Sequence, residues 1–137
     1  MGYFEISVKH TIVDKNGNDK EVTDKYIVEN QELFAEAEQK GLELPLTAPD
    51  VVAVKRSNLR EIVNTPTGAE DEAIYIATIV DTFISDNGDE KKTKYPVALY
   101  AVSIPNANKI VQEYMAQGLA DLECEGIKKS SFVEVIS

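Results

Sequence analysis

From Phe4 to Ile12 the even positions are Phe4, Ile6, Val8, His10 and Ile12, while Glu5, Ser7, Lys9 and Thr11 between them are polar. A period of two is that of a strand with one buried face. Asn16-Gly17 follows, a dipeptide suited to the positive φ of a tight hairpin, and residues 22–29 supply its antiparallel partner. Asn30 has the side chain of a helix cap, predicting a helix over 31–40 with Leu33, Phe34 and Ala37 as its apolar stripe and Gly41 as a left-handed stop. A Pro-containing loop then leads to Val51-Val52-Ala53-Val54 and a long third strand.

The same order recurs. Residues 74–84 predict a strand, Asn87-Gly88 a turn, and 94–102 a returning strand in which Pro96 requires a bulge or an edge position. Pro105 suits the first turn of a helix over 106–117, with Gly118 as its stop, and 127–136 forms a final strand. Thr11, Asn16, Gly17 and Lys20 meet Thr82, Asn87, Gly88 and Lys91 at an offset of 71. The stops Gly41-Leu42 and Gly118-Leu119 match at 77, and Val54-Lys55-Arg56-Ser57 meets Ile127-Lys128-Lys129-Ser130 at 73. Their consistent order predicts an α+β fold, a tandem ββαβ duplication of two antiparallel hairpin-plus-helix units packed as one compact body. The first unit takes residues 1–64 and the second 73–137. The turn formers and acids of Asn64-Thr65-Pro66-Thr67-Gly68-Ala69-Glu70-Asp71 place a linker at 65–72.

Composition adds limits. An apolar content of 43% suits a globular chain, and units of this size bury too little surface to be secure alone. The net charge of −10 opposes binding to a general polyanion coat or an anionic membrane. Met1-Gly2-Tyr3-Phe4-Glu5 lacks the basic and apolar regions of a signal peptide, and no apolar run approaches a membrane span. A single cysteine, Cys124, fits a reducing compartment. The expectation is a cytoplasmic protein.

The aromatic start, the Lys/Glu-rich hairpin, Thr23-Asp24-Lys25-Tyr26-Ile27-Val28, Phe34-Ala35-Glu36-Ala37-Glu38 and Val54-Lys55-Arg56-Ser57-Asn58 together resemble an uncharacterised domain family. Its members are short duplicated proteins of gut Bacteroidetes and their phages. The resemblance implies a phage or mobile-element setting and an accessory or binding role. It carries no functional residues to transfer.

Candidate chemistry is sparse, and no catalytic residue, metal ligand set or cofactor is expected. His10 is the only histidine and its counterpart in the second repeat is Asp81, so the two would form an acid–base pair if they met near an axis relating the repeats. Glu123 and Glu125 flank Cys124 and disfavour its thiolate. Asp14-Lys15-Asn16-Gly17-Asn18 opens like a calcium loop, but Asp19 and Lys25 stand where such a loop has glycine and glutamate. Neither hairpin carries the Gly-Lys-Ser/Thr of a phosphate loop.

Two binding readings remain. Ile74, Ile76, Val80 and Ile84 line one face of a strand whose other face carries Tyr75, Ile79 and Phe83, so the first four predict a face buried by the other repeat or by another chain, the latter as an interface with a second copy or a protein partner. Lys55-Arg56 and Lys128-Lys129 coincide in the two repeats, and Lys91, Lys92 and Lys94 thicken the second hairpin. With nearby tyrosines they would follow a single-stranded nucleic acid backbone. The first reading, a non-enzymatic protein-binding or assembly module working as a dimer, fits the acidic chain better.

Overall fold

The computed structural model describes residues 2–118 and 121–137; Leu119, half of the second predicted helix stop, lies outside them. The chain is α+β, in the order β1 (Gly2–Val13), β2 (Asp19–Gln31), α1 (Phe34–Leu42), β3 (Thr47–Ser57), β4 (Ala73–Ile84), β5 (Glu90–Ala101), α2 (Ile104–Ala116), β6 (Asp121–Lys129) and β7 (Phe132–Ile136). One compact unit comprises Met1–Ser57 with Ser131–Ser137, the other Asn58–Ser130. The stretch 65–72 therefore belongs to the second unit.

In the first unit the sheet order is β3-β1-β2-β7, with β7 parallel to β2 and the other pairs antiparallel. Phe4, Ile6 and Val8 of β1 join Tyr26 and Val28 of β2 in a core closed by Ala37 of α1. The alternation that predicts β1 thus turns its apolar face toward the helix. Ile12 falls outside this core and is 39% exposed, because the hairpin outruns the helix that covers it. The second unit has the order β5-β4-β6, with Tyr75, Ala77, Ile79, Val97 and Leu99 packed against Ala107 and Val111 of α2.

The repeats agree residue by residue. Phe4 pairs with Val28 and Tyr75 with Leu99; Lys9 pairs with Thr23 and Val80 with Lys94, so both strands of the hairpin are offset by 71. Against the third strand, Phe4 meets Arg56 and Tyr75 meets Lys129, and the ladder slips at the matching step, Ser7/Val8 and Thr78/Ile79. Both turns are closed alike, by Asp14 N to Asn18 O and by Ser85 N to Asp89 O, each at 2.8 Å. Only the glycines take positive φ there, +81° at Gly17 and +84° at Gly88. These are type I turns with a glycine bulge, a three-residue loop in place of the two-residue turn that Asn-Gly favours.

Several local expectations shift. Asn30 does not cap α1: it takes a φ of 64° at the end of β2, a conformation asparagine tolerates. The helix starts after Leu33, whose N–H donates to Glu36 Oε1 at 3.0 Å. Gly41 is not a left-handed stop but a buried residue inside α1. A Cβ there would lie 2.7 Å from Val51 Cγ2 and 2.8 Å from Ile6 Cδ1, so glycine is needed for close approach of helix to sheet. In the second unit Pro105 sits in the first turn of α2 as expected, and Ser103 Oγ accepts from Asn106 N at 3.2 Å. Pro96 lies in β5, the outer strand of its sheet, and the β4–β5 register is unbroken, which selects the edge over the bulge.

The final strand predicted over 127–136 is two strands. β6 pairs with β4 in the second unit, whereas β7 pairs with β2 in the first. Ser130 N and Oγ both donate to Ile74 O, at 2.9 and 2.7 Å, and hold the end of β6 just before the chain leaves the unit.

Candidate functional site

His10 lies on the helix-facing side of β1, 7% exposed, and its Nε2 is 2.8 Å from Asp24 Oδ2. The hairpin register puts Val8 opposite Asp24, so the carboxylate stands one rung from the imidazole on the same face. Asp24 is the residue that His10 Nε2 engages. The neighbouring hollow, about 120 Å³, is lined by Lys9, His10, Thr11, Glu21, Ala48 and Asp50. Lys9 is bonded to Glu21 at 3.0 Å, and that bond and charge hold the ammonium above its usual range. The lining holds no serine or cysteine, and its one hydroxyl is that of Thr11. The arrangement is a hydrogen-bonded pair near the end of the strand.

Alternation along β3 and β6 divides each basic pair between the two faces of its sheet. Arg56 lies opposite Phe4, on the helix-bearing face, and Lys55 opposite Glu5, on the other. Arg56 is structural: its guanidinium lies over the rings of Phe4 and Phe34, 5.0 and 5.2 Å from their centroids, and donates to Glu32 O at 2.9 Å. Lys55 sits 3.5 Å from Glu5. In β6, Lys129 faces with Tyr75 and Lys128 with Ile76, so these two also diverge. Lys91 lies opposite Phe83 on the helix-bearing face, whereas Lys92 and Lys94, opposite Thr82 and Val80, share the other face with Lys128. Lys94 is bonded to Glu125 at 2.8 Å. Lys94 and Lys128 border an open concavity of about 360 Å³ with Ile76, Thr78, Tyr95 and Pro96.

Of the four aliphatic residues predicted for an interface, Ile74 is 1% and Val80 7% exposed, so neither offers area to a partner; Ile76 is half-buried and Ile84 is 74% exposed. Ile84 belongs to a different pattern, one that repeats. Ile12 and Val13, at the end of β1, are 39% and 68% exposed; Phe83 and Ile84, at the equivalent end of β4, are 46% and 74% exposed. Each pair directly precedes its glycine-bulge turn. The sequence contains this signal at the offset of 71, but the strand periodicity alone assigns Ile12 and Phe83 to the core.

A polar cluster fixes the segment ahead of the second repeat. Tyr114 Oη donates to Glu61, and the Arg60 guanidinium stacks 4.1 Å over Tyr95. Burial first, then the bond to Glu61, pushes the Tyr114 phenol well above its ordinary range. Burial also raises the Cys124 thiol, whose Sγ donates to Gly126 O at 3.5 Å, a setting that disfavours the reactive thiolate. Among the described residues no group of three His, Cys, Asp or Glu side chains could hold a metal, and no helix is long and apolar enough to cross a membrane.

With this geometry in place, comparison with known proteins gives a family. The pattern of a domain of unknown function, DUF4494, matches residues 2–137. The chain belongs to the DUF4494 family. No curated protein and no solved structure matches it. For this DUF4494 chain the functional reading therefore rests on its own surfaces.

Proposed function

We propose that this chain is a non-enzymatic protein-binding module that assembles through the exposed ends of its hairpins. The observation that carries the reading is the repeated apolar pair, Ile12-Val13 in one unit and Phe83-Ile84 in the other. Exposed aliphatic and aromatic side chains gain free energy by leaving water, roughly 25 cal/mol per Å². Placing them at one position in both repeats gives each chain two such contacts, and a second copy of the chain is the partner that brings matching ones. The net charge of −10 keeps such an assembly soluble. Together with the resemblance described above, this supports an accessory role for a phage or mobile element in the bacterial cytoplasm. Sedimentation over a concentration series tests it. The wild-type chain should pass from 15.1 kDa to a multiple of that mass, and Ile12, Val13, Phe83 and Ile84→Ser together should hold it at the single-chain mass. A wild-type chain that stays monomeric at about 100 times the working concentration of ordinary micromolar complexes overturns the proposal.

A second reading, single-stranded nucleic acid binding, is favoured by the one face on which Lys92, Lys94 and Lys128 gather beside the concavity bordered by Tyr95. Phosphate contacts make affinity fall as salt rises. Titration of a single-stranded oligonucleotide at two salt concentrations, with wild type and with Lys92, Lys94 and Lys128→Ala, decides it. Binding that weakens with salt and disappears in the variant supports this reading, and no binding at low salt removes it.

A further inference from the structure

The segment that follows the third strand of each repeat completes the sheet of the other unit. After β3 the chain leaves the first unit, and Ile62 forms a parallel bridge with Ala98 of β5. After β6 it leaves the second unit, and Val135 pairs in parallel with Ile27 of β2. The correspondence is the one the repeats share elsewhere: Ile27 and Ala98 differ by 71, Ile62 and Val135 by 73. The next residues also match, since Val63 packs against the core of the second unit and Ile136 against that of the first. Each repeat thus supplies four strand positions and gives the last one away.

We infer that the outer edge of β2 is an acceptor for a terminal strand and that a second copy of this chain can supply it, giving a strand-exchanged dimer. Three features favour the exchange. β7 is short and pairs with β2 alone, through four residue pairs from Lys25–Phe132 to Val28–Ile136. It is joined to β6 by only Ser130 and Ser131, and Ser130 is fixed to Ile74 O in the unit that β7 leaves. When β7 lifts, β2 presents an unpaired edge beside Tyr26, Ile27 and Val28, each under 5% exposed when the strand is in place. Such an edge templates a new strand, and residues 132–136 of another copy have the matching sequence. Reciprocal donation closes the pair without leaving a free edge of this kind.

The test uses two full-length chains in a Cys124→Ser background, one carrying Lys25→Cys and the other Phe132→Cys. These positions are ladder partners. The chains are mixed, taken to the urea midpoint, refolded at low and at high protein concentration, and oxidised. Exchange predicts that the mixed Lys25→Cys/Phe132→Cys disulfide dominates over both like-with-like disulfides, at least fivefold, and increases with concentration. A chain carrying both substitutions checks the fold, since it should close an internal disulfide when dilute and become disulfide-linked dimers when refolded concentrated. Internal closure at every concentration, with mixed and like-with-like products in statistical proportion, overturns the inference. The inference stands apart from assembly through the hairpin ends: the mixed disulfide should survive Ile12, Val13, Phe83 and Ile84→Ser, so either proposal can fail alone.

Discussion

His10 and Asp24 are held 2.8 Å apart by the register of a hairpin, one rung from being direct partners across it. The imidazole is almost fully covered while the carboxylate is partly solvated, so the pair ties a buried polar group to the wet edge of the sheet. Removing the carboxylate strands a buried ring nitrogen. Asp24→Ala should therefore cost about 1–3 kcal/mol of stability, and Asp24→Asn, which keeps a hydrogen-bonding side chain, should cost less. Urea unfolding of the two variants checks the order; equal midpoints for all three chains would show that the pair contributes nothing.

The two turns provide an internal comparison. Asp14 Oδ1 accepts from Asn16 N and Asn18 N, both at 2.9 Å, whereas Ser85 in the same place of the second hairpin has a buried Oγ without a partner. Ser85→Asn lengthens the side chain to reach the two N–H groups and adds no charge beside Asp86, Asp89 and Glu90. It should raise stability by about 0.5–1 kcal/mol, seen as a higher urea midpoint with an unchanged slope.

Gly41 tests the approach of α1 to its sheet. In an open helix Gly→Ala stabilises, but here the added methyl meets Val51 and Ile6 closer than 3 Å. Gly41→Ala should destabilise by about 1–3 kcal/mol, the usual range for overpacking. A gain in thermal midpoint would mean that the helix can move outward at no cost.

The Tyr114 phenol sets an alkaline limit. Its folded pKa lies above the ordinary 10.0, through burial and the bond to Glu61, so the unfolded chain loses this proton first. The resulting stability is fully present below about pH 10 and declines as pH rises toward the folded value. Burial raises Tyr26 as well, with Asp24 and Glu134 adding to it, so both tyrosines contribute to the fall. Tyr114→Phe should flatten the decline above pH 10 without changing its onset, measured by denaturation at successive pH values.

Most local structure was legible along the chain because it depends on neighbours in sequence. The alternation from Phe4 to Ile12 gave β1 and its buried face, Asn16-Gly17 and Asn87-Gly88 gave the hairpins, and Pro105 marked the start of α2. The matches at 71 and 73 anticipated the shared registers. Asn30 and Gly41 depart from the cap and the stop that are the commonest local uses of those residues, because β2 runs on to Gln31 and Val51 and Ile6 press against the helix.

The site was less legible. Each basic pair looked like one feature, but successive strand residues face opposite ways, and Phe4 with Phe34 claims Arg56. Ile74 and Val80 are covered, whereas Val13 and Ile84 are left bare at the hairpin ends. Sequence by itself determined most of the elements, their duplication pattern and the places of the hairpin turns, since turn chemistry and period two act over a few residues. Only the tertiary structure decided that Lys129 ends one strand and Phe132 begins another in a different sheet. No residue between them breaks the strand pattern; the break comes from the open edge of β2, which lies far away along the chain and is satisfied by β7.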